Sequence, residues 1–72
     1  MNIGTVVFFN TIKGFGFIKN DETEVEIFFY VSAIVGASIL YEGQKVYYDV
    51  GKDPKSYRDR AENISVAEDS LS

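Results

Sequence analysis

The run Lys13-Gly14-Phe15-Gly16-Phe17-Ile18 packs one cation, two glycines and two phenylalanines into six residues. On a strand, successive side chains point to opposite faces, so Phe15 and Phe17 share one face and Gly16 and Ile18 the other. A second run, Ile27-Phe28-Phe29-Tyr30, sets Phe28 and Tyr30 together, with Ile27 and Phe29 opposite. Large rings on an open face are costly in water unless something flat stacks on them. Unpaired nucleic-acid bases are the commonest flat partners of such a platform. Gly14 and Gly16 leave room for a base or backbone to approach, and Gly14 also suits a turn. The opposing reading, that the rings fill the core, conflicts with the alternation, because Ile18, Ile27 and Phe29 already take the inward face.

Other chemistries find little support. The chain has neither cysteine nor histidine, which removes disulfides, thiolate metal sites and the most common general base and metal ligand. No two carboxylates are paired in an apparent apolar pocket, so neither an enzyme nor a cofactor or metal is expected. No basic stretch followed by an apolar run marks a secretory signal, and no apolar segment is long enough to span a bilayer. A soluble, cytoplasmic protein is expected. The net charge of -4 argues against simple electrostatic binding of duplex DNA. The acids gather in Asp21-Glu22-Thr23-Glu24 and in the tail, away from Lys13. Such a balance restricts binding to ligands that reward stacking, meaning unpaired bases.

Seventy-two residues are enough for one small domain. β-Branched and aromatic enrichment predicts strands over Thr5 to Phe9, Phe15 to Lys19, Val25 to Tyr30, Lys45 to Val50 and Ala61 to Ala67. Asn10 to Gly14 and Asn20 to Glu24 read as turns, Val31 to Ile34 as one helical turn, Gly36 to Gly43 as a loop, and Lys52 to Arg60 as a polar loop around the single proline. Residues 1–67 form the domain and residues 68–72 a frayed acidic tail. Five short strands without a long helix predict an all-β, closed or nearly closed barrel. Its predicted core is Val6, Ile18, Ile27, Phe29, Ile34, Val46, Tyr48, Val50 and Ile64.

Four blocks resemble the bacterial cold shock proteins: Gly4-Thr5-Val6 with Phe8-Phe9-Asn10 and the Lys13–Ile18 run, then Ile27 to Ile34, then Glu42 to Val46, then Ala61 to Ile64. Together they cover about residues 3–66. The RNA recognition motif shares such a hexapeptide, but carries it on a third strand after a helix, which this chain lacks. The resemblance implies an OB-fold, a five-stranded antiparallel Greek-key barrel that binds single-stranded RNA or DNA and acts as an RNA chaperone. It implies that Phe15, Phe17 and Phe28 are central stacking residues and that Lys13 contacts a phosphate or base edge. Phe8 stands where many members have tryptophan and keeps a smaller ring. Phe9 either flanks the platform or packs half-buried, and Asn10 either touches a base or holds the turn.

Several positions depart from the family. Val7 replaces the usual lysine, Tyr30 the usual histidine and Val31 a common phenylalanine, and the usual loop aromatic aligns near Ala37. Two missing stacks forfeit roughly 2–6 kcal/mol of gross interaction, so weakened affinity is expected. The polar loop is longer than usual. Its Lys52, Lys55, Arg58 and Arg60 are candidate phosphate partners and Tyr57 a candidate extra stacker, against the reading of a flexible solvated loop. A monomer is expected. The alternative from another class is a protein-interaction module or homodimer that uses the same aromatic face.

Overall fold

Each predicted strand is present in the computed structural model, which describes residues 1–67. The expected acidic tail, residues 68–72, lies outside the described residues. The strands are β1 (Asn2–Asn10), β2 (Phe15–Asn20), β3 (Glu26–Tyr30), β4 (Lys45–Lys52) and β5 (Asp59–Val66), with one 3₁₀ turn at Val31–Ala33 between β3 and β4. They close a barrel in the order β1-β2-β3-β5-β4. Four seams are antiparallel. The fifth, between β3 and β5, is a short parallel contact at Phe28 and Arg60.

The two turns of the β1-β2-β3 meander use the same device. The Asn10 side-chain oxygen accepts from the amides of Ile12 and Lys13 at 3.0 and 2.9 Å. The Asn20 oxygen accepts from those of Glu22 and Thr23 at 2.8 and 2.9 Å. An asparagine that satisfies the amides ahead of it closes a turn without needing a longer loop. Gly14, at φ +73°, lets the chain re-enter β2 in a conformation that side chains disfavour. The second turn is clipped to the barrel wall by Asp21, which accepts hydrogen bonds from Thr5 and Lys45. These bonds, that from Lys45 foremost, hold its carboxyl below the usual range.

Val6, Ile18, Ile27, Phe29, Leu40, Val46, Tyr48, Ala61 and Ile64 form the core, with Phe9, Ala33, Ile34 and Val66 packed against it. Burying a large apolar side chain is worth about 1.5–3 kcal/mol, so this cluster is the main source of stability. Four positions differ from the predicted core: Leu40 and Ala61 join it, Ile34 is only partly buried against it, and Val50 leaves it. Val50 is 51% exposed. It keeps the alternation of Val46 and Tyr48, but β1 runs out where Asn2 pairs with Tyr48, so β4 beyond Tyr48 has only β5 beside it. Leu40, in the segment expected to be a plain loop, is instead buried.

Two bulges decide which faces the side chains take. On β1 the register passes from Val6↔Ile18 to Phe8↔Phe17, leaving Val7 as the extra residue. Val6 therefore points inward, Phe8 joins Phe17 outside, and Phe9 returns to the core. On β5 the register passes from Tyr47↔Ser65 to Asp49↔Glu62. The extra residue falls beside Asn63, which sits at φ +52°. A bulge shifts the pleat by one position and bends the strand, as barrel closure demands.

Candidate nucleic-acid interface

Phe17 faces Phe28 across the β2–β3 seam, and Phe15 faces Tyr30. The period-2 pleat puts all four rings on the outer face, and the Val7 bulge adds Phe8. The result is a continuous sheet of rings. Phe8 lies 5.8 Å from Phe15 and 6.3 Å from Phe17 between centroids. Phe28 lies 5.5 Å from Phe15, 5.8 Å from Phe17 and 4.6 Å from Tyr30. None of these rings belongs to the core. Phe8 and Tyr30 are 37% and 40% exposed, while Phe15, Phe17 and Phe28 are half-buried by their neighbours. Tilted and edge-on contacts hold such a cluster in place by roughly 0.5–1.5 kcal/mol per pair. Lys13 is exposed at the end of the platform nearest the β1–β2 turn.

Phe9 and Asn10 each take one of the two positions the sequence left open, and Gly16 departs from its expectation. Phe9 does not flank the platform; it stacks on the core ring of Phe29, 5.6 Å between centroids and 12° between planes. The Asn10 side-chain oxygen holds the turn. Gly16 does not open space for a base, because it faces inward beneath Phe29. A Cβ there would lie 2.8 Å from that ring and closer still to the Phe8 carbonyl. The glycine is required by packing.

The β4–β5 loop is built rather than loose, and Asp53 is its hub. One carboxylate oxygen accepts from the amides of Lys55 and Ser56 at 2.8 and 3.3 Å. The other accepts the Tyr30 hydroxyl at 3.3 Å, tying the loop to the platform. The Asp53 backbone closes the loop by exchanging bonds with Arg58 and Tyr57, each 2.8 Å. The Lys55 amide is the largest influence lowering the Asp53 carboxyl below its usual range, with Ser56 and Tyr30 adding to it. Asp followed by proline is a turn-initiating pair, and that was the available sequence signal for this unforeseen residue.

The loop stands beside β3 and encloses a groove of about 450 Å³, lined in part by Phe17, Phe28, Tyr30, Arg58 and Arg60. Thus two of the four loop cations reach the platform edge. Lys52 is paired with Asp59 at 2.7 Å, and Lys55 does not line the groove. Tyr57 does not line it either and is 77% exposed. Arg60 is paired with Glu62 at 2.9 Å. The groove and its acidic residue Glu26 were not anticipated, since the loop's position over β3 depends on the barrel's closure.

A closed five-stranded barrel with rings on the outer faces of β2 and β3 has the form of an OB-fold nucleic-acid-binding domain. A model of the 'Cold-shock' DNA-binding domain matches residues 2–67. Cold shock protein CspA of Rhizobium meliloti (strain 1021) is 46% identical over 69 residues, covering 93% of this chain and 100% of that protein. The probable cold shock protein y4cH of Sinorhizobium fredii is 42% identical over 68 residues, covering 92% of this chain and 99% of that protein. Among solved structures, drosophila Unr CSD456 matches with a TM-score of 0.74 at 20% identity, a likeness of fold over 93% of this chain and 26% of that one. The chain belongs to the cold-shock domain family, whose members bind nucleic acid. No helix among the described residues is long and apolar enough to cross a membrane.

Proposed function

We propose that this protein binds single-stranded RNA or DNA by stacking unpaired bases on Phe8, Phe15, Phe17, Phe28 and Tyr30, and that it acts as an RNA chaperone by trapping strands as weak structure opens. The supporting observation is the continuity of the five rings on one outer face. Each stacked base is worth about 1–3 kcal/mol, so a few rings suffice to offset the chain's negative charge. Lys13 supplies phosphate attraction beside the β1–β2 turn. Phe9 and Asn10 serve through position, by fixing the Phe29 side of β1 and the turn that presents Lys13. With Val7 and Val31 in place of a lysine and a ring, affinity falls below that of fuller platforms, by about tenfold for each 1.4 kcal/mol lost.

Titration with heptathymidine or oligouridine at low salt, followed by tyrosine fluorescence, tests this reading. Saturable binding is expected. Its absence even at millimolar protein overturns the proposal. Sedimentation of the same samples tests the interaction-module alternative: self-association abolished by Phe15→Ala and Phe28→Ala, without any oligonucleotide binding, would favour that alternative.

A further inference from the structure

The groove between β3 and the β4–β5 loop holds a carboxylate and a guanidinium that are both unengaged. Glu26, Phe28 and Tyr30 alternate along β3 and share its outer face, and all three line the groove together with Phe17 and Arg58. Among the described residues, neither the Glu26 carboxylate nor the Arg58 guanidinium makes a hydrogen bond or ion pair. The other charged groups there are occupied: Asp53 with Tyr30 and the loop amides, Asp59 with Lys52, and Arg60 with Glu62. The volume of about 450 Å³ falls within the ~300–1,000 Å³ of small-ligand sites.

A free carboxylate repels a phosphate, so the groove suits an uncharged base stacked on its aromatic floor and read along its polar edge. A carboxylate presents two acceptor oxygens, and a guanidinium presents a fork of donors. Guanine alone among the four bases offers two adjacent donors, N1–H and N2–H, to match the first. Its O6 and N7 acceptors match the second. Adenine and cytosine offer one amino group, and uracil one N3–H. We infer that this groove is a guanine-selective subsite at the edge of the stacking platform, read by Glu26 and Arg58. The inference rests on the stacking function proposed above and adds base selectivity to it.

The test is affinity for heptauridine, for the same strand with one guanosine placed at each position in turn, and for matching adenosine and inosine strands. At the best position guanosine tightens binding by about fivefold or more. Adenosine gives less, and inosine, which lacks the 2-amino group, loses most of the gain. Glu26→Gln keeps size and removes charge at an exposed site. It brings the guanosine-to-uridine ratio close to one, even if affinity for every strand rises uniformly. Inosine equal to guanosine, or a guanosine gain that survives Glu26→Gln, overturns the inference. Heptauridine binding with no guanosine gain overturns it alone. No binding by any strand overturns the stacking reading and this inference together.

Discussion

Phe15 and Phe28 stack across the β2–β3 seam although they are not cross-strand partners. Their centroids are 5.5 Å apart and their planes 22° apart, whereas the register pairs Phe15 with Tyr30 and Phe28 with Phe17. Aromatic side chains are long enough to bridge such a diagonal. The contact makes the two rings a single surface, which has consequences for mutation.

Phe15→Ala and Phe28→Ala should each weaken binding of a short pyrimidine strand by about 1–3 kcal/mol. Because the rings touch, the double variant should lose less than the sum, and a double-mutant cycle reads the difference. Circular dichroism of all three variants should keep the barrel signature, since neither ring belongs to the core. Full additivity would show that the rings act as independent stacking sites.

Gly16→Ala separates packing from binding. The added methyl meets the Phe29 ring and the Phe8 carbonyl, and overpacking of this kind costs about 1–3 kcal/mol. Urea unfolding should show the free energy of unfolding fall by that amount, with oligonucleotide affinity at the folded baseline little changed. Unchanged stability together with lost affinity would restore Gly16 to the site.

The fold was legible where one face of a strand is buried and the alternation is clean, as in Ile18, Ile27 and Phe29. It was illegible where the pleat slips. Nothing in Val6-Val7-Phe8-Phe9 announces that Val7 is the extra residue, yet that bulge alone sends Phe8 outward and Phe9 onto Phe29. Likewise Val50 continues its strand's pattern but outruns its neighbour β1, and Leu40 is drawn inward from a loop by tertiary packing. Phe8 came only from the resemblance, whereas the other four rings of the platform, Phe15, Phe17, Phe28 and Tyr30, were readable from spacing. The Asp53 hub and the groove were not, because they arise from two segments more than twenty residues apart meeting only after closure.

Asp53 gives the loop a defined response to acid. Its amide partners hold the folded carboxyl below the ordinary value, which is about 3.9 in an unfolded chain. The loop's stabilisation is therefore complete above that value and is lost as pH falls through the lower folded one. Amide exchange at Lys55 and Ser56, corrected for intrinsic rates, should stay protected from neutral pH down to about 4 and rise below it. Asp53→Ala should abolish that protection at neutral pH and leave amides of β1 and β2 unaffected. Acid-induced exposure throughout the barrel at the same pH would mean that the loop is not a separate unit.

Tyr30 places a phenol rather than an imidazole on the outer face of β3. Its phenol meets Asp53 and Phe28, and the chain has no histidine, so the platform carries no imidazole. Oligouridine affinity should therefore vary by less than about twofold between roughly pH 5.5 and 7.5. Tyr30→His should introduce a dependence of known sign. An imidazole beside the Asp53 carboxylate has its pKa raised above about 6.5. The cation is thus present at the lower pH and lost as pH rises through the raised value, so phosphate attraction and affinity should be greater at about pH 5.5. Parallel titrations of both proteins at the two pH values check this. A steep pH profile in the natural sequence, or a flat one in Tyr30→His, would remove position 30 from the binding face.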